Sequence, residues 1–206
     1  MTVWEELAAL GSATVYEAAG RQGLVDERFV QVVPGSRAAG PARTVRCGQD
    51  DNLMVHAVMD SVEPGEVVVL TMPEPAPVAL VGELLATQAA HRGAAALLVD
   101  AAVRDVEELA TMELPIWARW IRIRGATKTM PGTIGEPVHV GGCTIRQGDT
   151  VVLDADGAAV VASERVDEVL EAARRRAGKE REKRAALESG ALSYDLDGLR
   201  GLVEGR

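Results

Sequence analysis

The sequence predicts an α/β domain with a helical arm at its C-terminal end, and three observations predict it. The apolar mass of the 206 residues, 47% of the chain, is mainly Ala, Val and Leu beside 21 glycines and only 3% aromatics, which suits helices packed closely on a sheet. Two apolar runs, GEVVVLTM and AAALLV, flank a helical pattern, and such a βαβ unit brings parallel strand ends side by side. From Arg165 onward the chain turns to long, charged helical sequence.

The elements follow in order. Val3–Leu10 and Thr14–Arg21 read as opening helices, with Ser12 and Thr14 as caps and Gly23 as the stop of the second. Val30–Val33 and Thr44–Cys47 read as strands, with a turn at Pro34-Gly35. Asp51–Ser61 reads as helix and Gly65–Met72 as a buried strand. Gly82–Arg92 is a helix that Gly93 stops. Ala94–Val99 suits a core strand or a piece of buried helix; its flanking glycine and the polar turn after it favour strand. Arg104–Thr111 is a short helix. Leu114 to Ala162 is β in pattern, with hairpin signals at Gly148-Asp149 and Asp156-Gly157. Arg165–Leu187 is one long helix, broken or bent near Gly178, and Tyr194–Val203 is a short docked helix. With no repeat or low-complexity linker, the chain divides into a core over residues 1–163 and an arm over residues 164–206. So polar an arm would be marginal alone and is expected to lie on a neighbouring copy.

A net charge of −9 argues against nucleic acid as a partner, since such domains carry a basic patch. Arg174, Arg175 and Arg176 cluster, but acids surround them. Cys47 and Cys143 form no CxxC pattern, so neither a disulfide framework nor a sulfur-bound zinc is expected. The opening MTVWEELAAL is acidic and amphipathic, unlike a signal peptide, and no apolar run reaches the ~18 residues of a membrane span. A reducing cytoplasm fits these features.

Two polar islands, Gly82-Glu83 and Arg104-Asp105, stand at the ends of the βαβ unit. The backbone N–H groups around Glu83, Leu84 and Leu85 open a helix without intrahelical acceptors, which makes a seat for a small anion or simply an ordinary helix start. Arg104 offers a planar fork for a carboxylate, and Asp105 offers a hard oxygen for Mg²⁺; the plainer reading is a surface arginine and a helix cap. Ligands of open α/β sheets gather at carboxyl ends of strands, so both islands are expected to face one crevice suited to an α-oxo acid.

Glu83, twenty intervening residues, then Arg104-Asp105 resembles the acid-X20-Arg-Asp signature of the class II 4-hydroxy-4-methyl-2-oxoglutarate / 4-carboxy-4-hydroxy-2-oxoadipate aldolases, which belong to the RraA-like family. Ala13-Thr14-Val15-Tyr16-Glu17-Ala18, Asp51-Asn52, GELLAT, Lys179-Glu180 and LESG extend the resemblance over nearly the whole chain. Many members have Asp where Glu83 stands, one methylene shorter. The resemblance implies a layered α/β/β domain of the swivelling phosphohistidine-domain type, assembled as a trimer or dimer of trimers. It implies Mg²⁺ or Mn²⁺ at Asp105, mostly through waters, with Glu83 outside it. It implies a pyruvyl group on Arg104 and the N–H groups of Leu84 and Leu85, beside Gly82, and a glutamate from the next subunit's arm, Glu180 by position with Glu182 in reserve. Lys128 in GATKTM and Asn52 suit a second substrate carboxylate, or else ordinary surface and cap roles; His56, His91 and His139 show no ligand spacing.

An aldolase must stabilise a carbanion, through a lysine Schiff base or a metal acting as Lewis acid. Of the three lysines, Lys179 and Lys183 lie in the polar arm, where desolvation is not expected, so the metal route is favoured. The implied reaction breaks C3–C4 of a 4-hydroxy-2-oxo acid and releases pyruvate; oxaloacetate decarboxylation passes through the same enolate. Two rivals stand beside it. One is an RraA-like regulator that binds a ribonuclease, a group that lacks the aspartate of the Arg-Asp pair. The other is an RraA-like lyase or decarboxylase for a different oxo acid.

Overall fold

Strands that are apolar on both faces must be covered on both faces. The computed structural model describes residues 1–205 and covers them so. Helices α1 (Val3–Leu10) and α2 (Ser12–Ala18) lead through short strands β1 (Leu24–Val25) and β2 (Val30–Gln31) to the long strand β3 (Ala38–Arg46). Helix α3 (Leu53–Val58), strands β4 (Val67–Thr71) and β5 (Ala79–Val81), helix α4 (Glu83–His91), strand β6 (Ala96–Val103), helix α5 (Val106–Leu109) and strand β7 (Ile116–Ile121) follow. Then come β8 (Thr133–Ile134), β9 (Val138–Val140), β10 (Cys143–Ile145), β11 (Thr150–Asp154), β12 (Gly157–Val161), the long helix α6 (Val166–Glu188), and two short helices, α7 (Ser193–Leu196) and α8 (Arg200–Glu204).

The main sheet runs β1-β12-β11-β3-β4-β6-β7-β2, and β3 gives it two characters. Ala38–Pro41 pairs antiparallel with β11, whereas Ala42–Arg46 pairs parallel with β4. Side chains of β4 alternate between the faces: Val68 and Leu70 pack with Val55, Leu85 and Ala86 of α3 and α4, while Val67 and Val69 pack with Trp117, Ile145 and Val151. A third cluster buries Leu7, Val15 and Leu170 against Val152 and Val161. The fold is mixed α/β with a C-terminal helix, as the sequence predicts. No helix among the described residues is long and apolar enough to cross a membrane.

Several boundaries differ from expectation for local reasons. Thr2, which the sequence reading leaves unassigned, caps α1 through a reciprocal pair with Glu5. Ser12 is no cap: it lies buried inside α2, where its N–H and hydroxyl donate to Asp154 at 2.8 and 2.6 Å. Gly23 does not stop α2; a Cβ there would stand 1.9 Å from the Val160 carbonyl, so it serves a close approach to β12. Strand β6 runs on to Val103 because Asp100, polar in sequence, is buried and pairs with Arg119 at 2.6 Å. Gly148-Asp149 joins strands of different sheets, and the hairpin between β9 and β10 turns instead on Gly141-Gly142, both at positive φ. Helix α6 passes Gly178 without a break, and only Val169, Leu170 and Ala173 of it are buried. The tail is two helices, tied to α6 by Lys183 and Asp197 at 2.6 Å, with Leu192, Leu202 and Val203 exposed.

Candidate active site

β5 and β6 run parallel with Val81 beside Val103, so the residues that follow them, Gly82 and Arg104, leave the sheet together. The Arg104 N–H donates to the Val81 carbonyl at 3.1 Å and fixes that departure. Helix α4 opens after Gly82, and its first-turn N–H groups stand at the positive end of the helix dipole. That of Glu83 donates to Asp105 Oδ2 at 3.1 Å. Those of Leu84 and Leu85 make no bond to a side chain or loop carbonyl among the described residues, so they remain free to hold an anion.

Asp105 stands at the cap position of α5, yet its side chain makes no cap bond to that helix. Its backbone is left-handed, φ +59° and ψ +43°, a conformation costing a non-glycine residue about 1–2 kcal/mol. The strained backbone turns the carboxylate back toward α4, with Oδ2 3.6 Å from Arg104 Nε. Gly82 makes room for it: a Cβ there would stand 2.4 Å from Asp105 Oδ2 and 3.1 Å from Arg104 Nε. The Glu83 carboxylate turns along its helix and accepts from the Thr87 hydroxyl at 3.0 Å.

The opposite wall is built by the loop after β7 and the segment before α3. Arg122 N–H donates to Val103 O at 3.0 Å, Ala79 N–H to Arg124 O at 2.7 Å, and Asn52 N–H to Thr127 O at 2.9 Å, which stitches the loop to both neighbours. Asp51 is buried beneath it. Burial alone would raise its pKa, but the Thr127 hydroxyl and the N–H groups of Thr129, Leu53 and Met130 hold it well below the usual carboxylate range. Asn52 Nδ2 donates to the Leu80 carbonyl at 2.9 Å, while its Oδ1 is buried without a partner. His56 lies one turn further along α3; partial burial, then the Lys128 charge, lower its pKa and so favour the neutral ring.

Between the walls is a cavity of about 180 Å³. Gly82, Leu84, Leu85, Arg104 and Asp105 line one side, and Asn52, His56 and Lys128 the other. This is below the ~300–1,000 Å³ of drug-sized pockets, which suits a small acid. An open cleft of about 510 Å³ on the far side of Arg104-Asp105 has an apolar rim, where Ile123 is 94% exposed.

The structure therefore gathers Asn52, Gly82, Leu84, Leu85, Arg104, Asp105 and Lys128 at one cavity, with Glu83 at its edge. It does not bring Glu180 there: that residue is exposed on α6 and pairs with Arg176 at 2.9 Å, and Glu182 is exposed on the same helix. Among the described residues no three His, Cys, Asp or Glu cluster as a metal cage. A hard cation would meet the exposed Asp105 carboxylate, a single donor that fits Mg²⁺, which keeps most of its waters, while the Glu83 carboxylate is turned to Thr87. His56 shows no ligand spacing in the sequence, yet the structure places it on the cavity wall beside Asn52, the residue at the cap position of its helix. Sequence reasoning left Asp51 without a role.

The model of the RraA-like family (Aldolase/RraA) matches residues 12–160. A protein of Halalkalibacterium halodurans named "Putative 4-hydroxy-4-methyl-2-oxoglutarate aldolase" is 32% identical over 157 residues, covering 76% of this chain and 75% of that one. An uncharacterised protein from Pseudomonas syringae pv. tomato superposes with a TM-score of 0.81 at 25% identity, over 92% of this chain and 94% of its own. Streptomyces coelicolor RraAS2, described as an unusual member of the RNase ES inhibitor RraA protein family, gives a TM-score of 0.78 at 27% identity, over 88% of this chain and 95% of its own.

Proposed function

Because the chain belongs to the RraA-like family, we propose that it is a divalent-cation-dependent aldolase that cleaves 4-hydroxy-2-oxo di- and tricarboxylic acids, 4-hydroxy-4-methyl-2-oxoglutarate and 4-carboxy-4-hydroxy-2-oxoadipate among them, to pyruvate and a second oxo acid. Oxaloacetate decarboxylation is the expected side activity. One observation carries the reading: free helix N–H groups, a guanidinium and an exposed carboxylate converge on a cavity sized for a small acid, with a lysine opposite.

In this reading the Leu84 and Leu85 N–H groups and the Arg104 fork bind the 2-oxo carboxylate and steady negative charge developing on the neighbouring oxygen. Asp105, backed by Glu83, holds Mg²⁺ or Mn²⁺, which when bound supplies Lewis-acid stabilisation of that charge. Lys128 is exposed at the rim rather than enclosed in the apolar pocket that makes a lysine a Schiff-base nucleophile, and it binds the substrate's far carboxylate as a point charge. The Glu180 of a neighbouring copy, with Glu182 in reserve, completes the site by taking or returning the proton of the C4 hydroxyl. That requires a homo-oligomer, a trimer or dimer of trimers, which the exposed arm and the apolar Leu84 and Ile123 beside the site support. Residues 1–163 form the catalytic core in this scheme and residues 164–206 the arm that reaches the neighbour.

The regulator reading draws on the description of the Streptomyces structure. Against it stands Asp105, present and held by a strained backbone toward the anion seat rather than idling as a cap. The deciding experiment is pyruvate release from a panel of 4-hydroxy-2-oxo acids and oxaloacetate, with Mg²⁺ and after chelation. Release that requires the cation is expected; no release from any of them would overturn the enzyme reading, and release from a different oxo acid alone would reassign the substrate.

A further inference from the structure

We propose that Asp51 is a positioning residue that fixes the wall bearing Lys128 and Asn52, and thereby sets the protein's preference for a diacid over pyruvate. The inference rests on the proposed function and deepens it. Asp51 does not line the cavity, and it is 0% exposed. Its Oδ2 accepts from the Thr127 hydroxyl at 2.6 Å, the Thr129 N–H at 2.6 Å and the Met130 N–H at 3.1 Å. Its Oδ1 accepts from the Leu53 N–H at 2.8 Å, in the first turn of α3. The donors on Oδ2 therefore bracket Lys128 in the chain, while the donor on Oδ1 belongs to the helix that carries His56.

Two features separate this from an ordinary buried turn aspartate. No cation pairs with Asp51 among the described residues; Arg124 takes its neighbour Asp50 instead, at 3.0 Å. A buried carboxylate without a cation is costly unless hydrogen bonds saturate it, and here the saturating donors come from two segments more than 70 residues apart. An ionised carboxylate only accepts, so no amide or hydroxyl at this position can satisfy all of these donors at once. The second feature is that Asn52, adjacent in sequence, closes the same clamp from the other side, its N–H donating to the Thr127 carbonyl at 2.9 Å. Backbone bonds stitch the loop to its neighbours, and the buried Asp51 charge fixes the turn within it that carries Lys128 across the cavity from Arg104, so that the two cations face the two carboxylates of a bound acid.

The test is calorimetric titration in Mg²⁺ with two probes. Pyruvate carries only the 2-oxo acid end; 2-oxoglutarate adds a second carboxylate and has no 4-hydroxyl to cleave, so binding is read without turnover. Wild type is expected to bind 2-oxoglutarate more tightly. Asp51→Asn should weaken 2-oxoglutarate at least about tenfold and pyruvate less than about twofold. Thr127→Val, which removes one donor from the same oxygen without disturbing the core, should move the ratio the same way by about threefold, and it carries the test if Asp51→Asn fails to fold. Lys128→Met should abolish the preference, and adding Asp51→Asn to it should change the ratio no further. Equal weakening of both acids, an unchanged ratio, or a full additional effect in the Lys128→Met background would overturn the positioning role while leaving the proposed function intact. A wild-type chain that binds neither acid would instead overturn the proposed function, and the positioning role with it.

Discussion

The Asp105 carboxylate accepts the Glu83 N–H at 3.1 Å, so a residue two past the end of β6 is tied to the first turn of the helix that follows the neighbouring strand β5. The bond runs across the Arg104-Asp105 and Gly82-Glu83 islands and makes them one structure. It spends the first free N–H of α4 on a side chain and leaves the next two for a ligand.

Asp105→Gly separates the chemistry of this residue from its strain. Glycine adopts the left-handed backbone freely, which offsets the lost hydrogen bond of about 1 kcal/mol. The melting temperature should therefore move by only a few degrees. Pyruvate release should fall below about one hundredth of wild type, equivalent to roughly 2.7 kcal/mol. Circular dichroism melts alongside the pyruvate assay check both, and full activity of the variant in chelator-treated buffer would remove the cation from the reaction.

Gly82→Ala tests the close approach. Its new Cβ would stand 2.4 Å from Asp105 Oδ2, and the φ of −130° at Gly82 suits alanine, so the damage falls on the carboxylate rather than on the backbone. A loss of at least about tenfold in kcat/KM is expected in a protein that remains folded. Wild-type kinetics would show that the position of Asp105 is unimportant.

Arg104→Lys keeps the charge and loses the fork. If the guanidinium binds the carboxylate and also steadies the enolate, KM rises and kcat falls together, with a loss in kcat/KM above about tenfold, or roughly 1.4 kcal/mol. Near wild-type values would reduce the pair to a cap and a surface charge.

Sharing of the site between copies is tested by mixing. Asp105→Gly and Glu180→Gln should each be inactive alone. Exchanged into mixed oligomers, the two should regain part of the activity, because some sites then combine an intact Asp105 with an intact Glu180 from a neighbour. Sedimentation showing an active monomer, or mixtures as inactive as their components, would refute the shared site; Glu182→Gln reports which arm glutamate is used.

Asp51 makes a prediction about acid. Its pKa is lower in the folded protein than the ~3.9 of an unfolded chain, so unfolding takes up protons. Its contribution to stability is complete above that unfolded value and is lost as pH falls below it. Urea midpoints from pH 6 to pH 3 should drop more steeply for wild type than for Asp51→Asn, which does not titrate. Parallel curves would show that the clamp carries no charge.

The legible part of this protein was periodic or punctuated. The run Gly65–Met72, the helix before Gly93 and the polar pair at the end of β6 all announce themselves within a few residues, because burial on two faces and helix stops act locally. The three-residue β5 was hidden by the prolines before it, and it is the strand that places Gly82. The turn of the Asp105 carboxylate toward α4 depends on a left-handed φ, uncommon outside glycine, that no neighbouring residue announces. The clamp at Asp51 depends on donors more than 70 residues away, which no local pattern encodes. Glu180 is marked by resemblance alone, and in a single chain its partner is merely Arg176.

The double pairing of β3 bears on how the molecule comes apart. One half of this strand belongs to the antiparallel region and the other half to the parallel region that carries the site. Neither region can open fully without breaking the strand they share, so the core is expected to unfold as a single cooperative unit, with the amide protons of β3 among the last to exchange with solvent. A ligand that binds only the native state suppresses that global opening. An acid in the cavity should therefore slow deuterium uptake in β11 and β12, which contribute no residue to the site.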